Sequence, residues 1–128
     1  MKAACAALAG LGLAAAACFS ERAGGPIVAG AAECRVPVAV IDSMHFLVAI
    51  RDFLYYPDSI AVPVGATVTW VNCEPAGTEP HTTTSGTPAW DSGEFGVGER
   101  FSHTFAAAGA FPYYCTSHPF MVAKVVAQ

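Results

Sequence analysis

The chain has 128 residues, enough for one domain and a leader, with 10 acidic against 6 basic side chains and a net charge of −4. No basic stripe is available to neutralise phosphates, which excludes a nucleic-acid binder. Charge steering on such a surface favours a basic or neutral protein partner.

In chain order, Met1 and Lys2 are followed by an apolar run, Ala3 to Ala17, built only of Ala, Leu, Gly and one Cys. A basic start, a short apolar stretch and small residues at its end predict a secretory signal over 1–17. The run is too short and too rich in Ala to serve as a membrane span, and no later stretch reaches spanning length. The rest of the chain is therefore expected to work outside the cytoplasm, in the periplasm or held at the cell envelope. Ala15-Ala16-Ala17-Cys18 resembles the processing site of bacterial lipoproteins, at which the cysteine is acylated. Cleavage after Ala29-Gly30-Ala31 is the alternative ending. Residues 18–35 are rich in Gly and Ala without a sustained period and suit a flexible tether.

From residue 36 to 128 the chain alternates short runs of β-forming residues with turns. "VPVAVI" and "HFLVAI" come first, then "SIAVPV" and "ATVTWVN" around Gly65, then "RFSHTF" and "AFPYYC", and finally "MVAKVVAQ". Val, Ile, Thr, Phe, Tyr and Trp suit a pleated, half-buried surface. Seven or eight such strands with no amphipathic helix predict an all-β, Greek-key sandwich. Pro112 cannot donate to a ladder and is expected at an edge or bulge. Trp70 and Trp90 are expected in the core.

The stretch "YYCTSHPFM" sets Cys115, His118 and Met121 at steps of three in a loop between two strands. A thiolate, an imidazole and a thioether make an incomplete metal site. A second imidazole must come from His45, His81 or His103. His45 begins a strand and His103 lies inside one, so both read as strand residues. His81 follows Pro80 in a loop and is the candidate. Two imidazoles, one thiolate and a weak thioether suit copper, because the set compromises between the preferences of Cu(I) and Cu(II). Little rearrangement on redox change and no open position imply one-electron, outer-sphere transfer and argue against an enzyme. Zinc also takes Cys and His but seldom recruits a thioether. A Cys–His nucleophile pair would need an orienting residue and an oxyanion site, and neither is visible.

With these four residues in order, the chain from about His45 to Val126 resembles a cupredoxin, and among cupredoxins it is most similar to the amicyanins. The likeness rests on "YYPDSIAVPVGATVTWVN", Pro80-His81, "FSHTF" and "YYCTSHPFMVAKVV". The Cys-x2-His-x2-Met loop is its most specific part. The resemblance implies a single copper ion held by His81, Cys115, His118 and Met121. It also implies a type 1 (blue) copper electron carrier that works as a monomer with a redox partner such as a dehydrogenase, a cytochrome or an oxidase. In the family the second histidine reaches through an apolar patch, which Pro119 and Phe120 would help form here. Copper delivery, storage or sensing without redox cycling, and an adhesion-like sandwich with a vestigial site, are the competing classes. If Cys18 is acylated and Cys115 binds copper, Cys34 and Cys73 remain as an even pair for a disulfide; two free thiols, or Cys18 as a partner, are the alternatives.

Three positions depart from the amicyanin-like pattern. Ser117 stands where proline is usual, and its N–H is expected on the thiolate, raising the reduction potential above that of a Ser117→Pro variant. Thr82 replaces an asparagine that bridges the ligand loops and is expected to reach Thr116. Ala123 replaces a glycine and would be strained if its φ were positive.

Overall fold

The computed structural model describes Cys34 and residues 39–128. The expected signal (1–17), the acylation candidate Cys18 and the tether up to residue 33 lie outside the described residues, as do residues 35–38. Among the described residues nine strands follow in order: β1 (Ala39–Asp42), β2 (His45–Arg51), β3 (Leu54–Tyr56), β4 (Ser59–Val62), β5 (Thr67–Asn72), β6 (Thr84–Ser85), β7 (Arg100–Thr104), β8 (Gly109–Tyr114) and β9 (Val122–Ala127). Among the described residues, each of the β-type runs read from the sequence contributes a strand. The two extra ones, β3 and β6, have three and two residues.

The strands form two sheets. One runs β1-β2-β5-β7, with β3 also on β2; the other runs β4-β9-β8-β6. The pairs β2/β5 and β4/β9 are parallel, so the chain must cross between layers rather than meander. Between the layers sit Val48, Ile50, Val68, Trp70, Phe105, Val125 and their neighbours, all buried. Trp70 and Trp90 stack at 5.7 Å, and the Trp90 indole N–H donates to Thr83 Oγ1 at 3.1 Å. Both tryptophans are core residues, as their sequence context implied.

Pro112 lies in β8, an interior strand, which refines the edge expectation. On the side of β6, pairing stops at Tyr113 and Tyr114, so the missing N–H of Pro112 interrupts no ladder. Its carbonyl still accepts from the Gly86 N–H at 2.8 Å. Ala123 sits within β9 and is not among the residues with positive φ, so the substitution for glycine carries no strain there.

Cys34 and Cys73 form a disulfide across a sequence separation of 39. It fastens the incoming chain to the end of β5. In the chain-entropy picture, closing a loop of about 40 residues stabilises the fold by about 4 kcal/mol. Denaturant unfolding with and without reductant should show a loss of that order. Equal midpoints would mean that the bridge constrains nothing.

Candidate metal centre

Two pieces of chain meet at one end of the sandwich. The first is the hairpin connection between β8 and β9. Beyond the last ladder pair, Tyr114 with Val122, the Cys115 N–H donates to the Met121 carbonyl at 3.1 Å, and the Met121 N–H to the His118 carbonyl at 2.8 Å. The loop is thereby closed on itself. Cys115 and Met121 point into the core and are fully buried, while His118 stays near the surface. The second piece is the loop after β5. His81 is held by a two-bond bridge to Phe95, N–H to carbonyl at 3.2 Å and carbonyl from N–H at 2.9 Å. The Asn72 side chain pins the same Phe95 carbonyl at 3.1 Å.

His81, Cys115 and His118 are brought together. His81 Nδ1 lies 3.2 Å from His118 Nδ1, and Cys115 Sγ lies 3.8 Å and 3.6 Å from the two nitrogens. A point equidistant from these atoms is about 2.1 Å from each, the length of a bond from a first-row metal to nitrogen or slightly short of one to sulfur. Met121 shares the buried cluster of Cys115. His45 and His103 are elsewhere. His45 sits at the exposed start of β2 against Asp42, and His103 stacks on Trp90 at 4.9 Å.

The outer nitrogens of the two imidazoles determine what the inner ones are. His81 Nε2 faces Glu74 Oε1 at 3.2 Å, and His118 Nε2 faces Glu79 Oε2 at 3.2 Å. Ionised carboxylates only accept, so each Nε2 carries the proton and each Nδ1 presents a lone pair. Burial pushes the His81 pKa below the ordinary imidazole value, against the opposing pull of Glu74, so the ring is neutral at pH 7. Two lone pairs and a sulfur therefore converge on one buried point, a donor set that fits a shared soft cation.

Glu74 has no motif to announce it, and sequence reasoning did not single it out. Its carboxylate is buried. Besides His81 it accepts from the Asp52 N–H at 3.0 Å and the Phe53 N–H at 2.7 Å. Those two residues make the β2–β3 turn with φ of 53° and 56°, a left-handed pair that usually requires Asn or Gly. Holding a phenylalanine there costs about 1–3 kcal/mol. The gain is position: the Phe53 ring sits edge-on to His81 at 5.3 Å and to His118 at 5.0 Å. One carboxylate thus fixes His81, a strained turn and the ring that packs on both histidines.

Thr82 joins the two loops. Its N–H donates to Cys115 Sγ at 3.3 Å, and its hydroxyl accepts from the Thr116 N–H at 2.9 Å. The expected reach to Thr116 is present, and the threonine does the bridging. The Tyr55 hydroxyl donates to the Thr82 carbonyl at 2.5 Å, holding that peptide from behind. Ser117 behaves differently from the sequence expectation. Among the described residues the amide on the sulfur is that of Thr82, and Ser117 donates its hydroxyl to Glu94 at 3.1 Å. A Ser117→Pro variant should then keep its reduction potential to well within the ~59 mV of a tenfold change. Voltammetry showing a fall of that size would return the Ser117 amide to the sulfur.

Residues 43–128 match the family model of copper binding proteins, plastocyanin/azurin family. The chain is 36% identical to an amicyanin of Paracoccus denitrificans over 84 residues, 64% of each chain. To an amicyanin of Paracoccus versutus it is 31% identical over 99 residues, 72% of this chain and 73% of that one. The chain thus spans about two thirds of the length of these relatives. A solved structure of a reduced amicyanin mutant superposes with a TM-score of 0.60 at 31% identity, over 75% of this chain and 89% of that one. With the sandwich and the His–Cys–His cluster in place, the chain belongs to the plastocyanin/azurin family of copper-binding proteins, the cupredoxins.

Proposed function

We propose that this chain is a type 1 copper electron carrier that passes single electrons between redox partners outside the cytoplasm. The observation that supports this best is the convergence of two imidazole nitrogens and one thiol sulfur, from His81, His118 and Cys115, within a few ångströms of one another. His81, Cys115, His118 and Met121 would hold one copper ion. Copper, when bound, supplies a one-electron couple. The protein supplies a fixed frame: Glu74 orients His81, Thr82 donates to the sulfur and ties the loops, and Phe53 shields both rings. A frame built of buried hydrogen bonds resists rearrangement, which is what fast transfer in both directions needs. Residues 1–17 would direct export, Cys18 would carry a lipid, and residues 18–35 would tether the domain over 36–128. The Cys34–Cys73 disulfide supports an oxidising compartment. His118, beside exposed Pro119 and Phe120, would be the point of electron entry and exit.

A redox titration of the copper-loaded domain tests this reading. A carrier gives a reversible one-electron wave and rapid electron self-exchange between oxidised and reduced protein. Irreversible loss of copper on reduction would point to delivery instead.

A further inference from the structure

The Cys34–Cys73 disulfide lies outside the apolar cluster between the sheets, and both cysteines are only half-buried. Its place is beside the metal centre. Cys73 directly precedes Glu74, whose carboxylate accepts from His81 Nε2 and from the amides of Asp52 and Phe53. At the other end of the bridge, Arg51 Nη1 donates to the Cys34 carbonyl at 3.5 Å, and the Arg51 guanidinium lies 4.6 Å over the Tyr56 ring. Arg51 pairs with Leu54 across the Asp52-Phe53 turn. The links close a circuit: Cys34 to Cys73 through sulfur, Glu74 to the turn, and Arg51 back to Cys34. The sulfur link alone joins distant parts of the chain covalently. The others are hydrogen bonds of modest net worth, set against a strained, left-handed phenylalanine. The backbone beside Glu74 has further ties of the same kind, from the Cys73 N–H to the Ile50 carbonyl at 2.8 Å and from the Glu74 N–H to Asn72 Oδ1 at 3.1 Å.

We propose that this disulfide is a positioning device of the metal centre: it fixes Glu74, and through Glu74 the His81 ring and the Phe53 ring that lies against both histidines. The proposal rests on the copper reading for its last step alone; the clamp itself belongs to the apoprotein. A carboxylate on an untethered loop would follow the turn as it relaxed, because Asp52 and Phe53 gain by leaving the left-handed region. Cross-linked to Cys34, residue 73 keeps its place. Relaxation of the turn must then break both amide hydrogen bonds and leave a buried carboxylate short of donors. His81 Nε2 would lose its orienting acceptor as the clamp loosened, and metal affinity would fall with it. A bridge that only restricted the unfolded chain would stabilise the whole domain evenly. One that holds Glu74 acts first at Asp52, Phe53 and His81.

Two measurements read the two steps: amide hydrogen exchange of the copper-free domain, and Cu(I) affinity by competition with a chromophoric chelator. In the oxidised wild type, protection of the Asp52 and Phe53 amides should lie within about tenfold of that in the central strand β5. The Cys34→Ser, Cys73→Ser double variant should lose about tenfold more protection at those two amides than any loss shared with β5. Its Cu(I) affinity should fall about tenfold. In a Glu74→Ala background the same double substitution should change affinity by less than about twofold, because the group that the bridge positions is gone. Trimethylamine N-oxide, which favours compact states, is present throughout to keep the variants folded. Turn amides that open freely in the oxidised wild type would overturn the proposal without recourse to any variant. So would an equal loss of affinity with and without Glu74. Unchanged affinity in a folded double variant, with turn exchange that merely follows β5, would do the same. A wild-type domain that takes up no copper would remove the carrier reading, while the exchange comparison would still decide the clamp.

Discussion

Replacing Cys115 with serine abolishes the intense visible absorption expected of the copper-loaded domain, and with it rapid one-electron cycling. The intensity of such a band comes from charge transfer between a thiolate and Cu(II), and a hydroxyl at the same place cannot supply it. The change is nearly isosteric at a fully buried position, and the new oxygen can still accept the Thr82 N–H. Folding should therefore survive, which circular dichroism and the unfolding midpoint would verify. Cys115 is the single free cysteine among the described residues. A band that persisted in Cys115→Ser would require a thiolate from elsewhere in the chain.

Glu74→Ala should have the next largest effect, on both copper affinity and stability. The substitution strips a partner from three donors at once: His81 Nε2 and the amides of Asp52 and Phe53. An unsatisfied buried donor costs about 1–3 kcal/mol. The left-handed turn also loses its clamp, so relaxation of Asp52 and Phe53 would recover part of that cost. A net destabilisation of about 3 kcal/mol is expected in denaturant unfolding of the apoprotein. Copper affinity should fall 10- to 100-fold, roughly the range seen when groups that orient ligand histidines are removed. Glu74→Gln should lie between the two, since its amide keeps one accepting oxygen but turns donors toward donors. Wild-type affinity in a folded Glu74→Ala domain would show that Phe95 and the backbone alone orient His81.

The long strands were legible because their chemistry is local. Runs such as "ATVTWVN" and "HFLVAI" carry β-branched and aromatic side chains between turn residues, and each became a strand. The loop from Cys115 to Met121 stood out for a different reason: three side chain types able to bind metal at fixed steps, with Pro119 excluding a helix. The disulfide was legible by elimination among few cysteines. Other features left no local trace. β3 and β6 are too short to show a period and exist through pairing with β2 and β8. The Asp52-Phe53 turn carries no glycine or asparagine, because a distant carboxylate stabilises it in place of intrinsic preference. Glu74 and Glu79 look like ordinary loop acids until folding places each on a histidine Nε2. The assignment of the sulfur's amide partner to Ser117 failed on the same ground. Proximity in sequence favoured Ser117, while the fold delivers Thr82 from 33 residues away.

A crystal structure of the copper-loaded domain, with anomalous scattering collected at the copper edge, tests the central claim most directly. A single strong peak bonded to His81 Nδ1, Cys115 Sγ and His118 Nδ1, with the Met121 sulfur at a longer distance, is the expected result. Copper bound through either Nε2, or at any place that excludes Cys115, would contradict it.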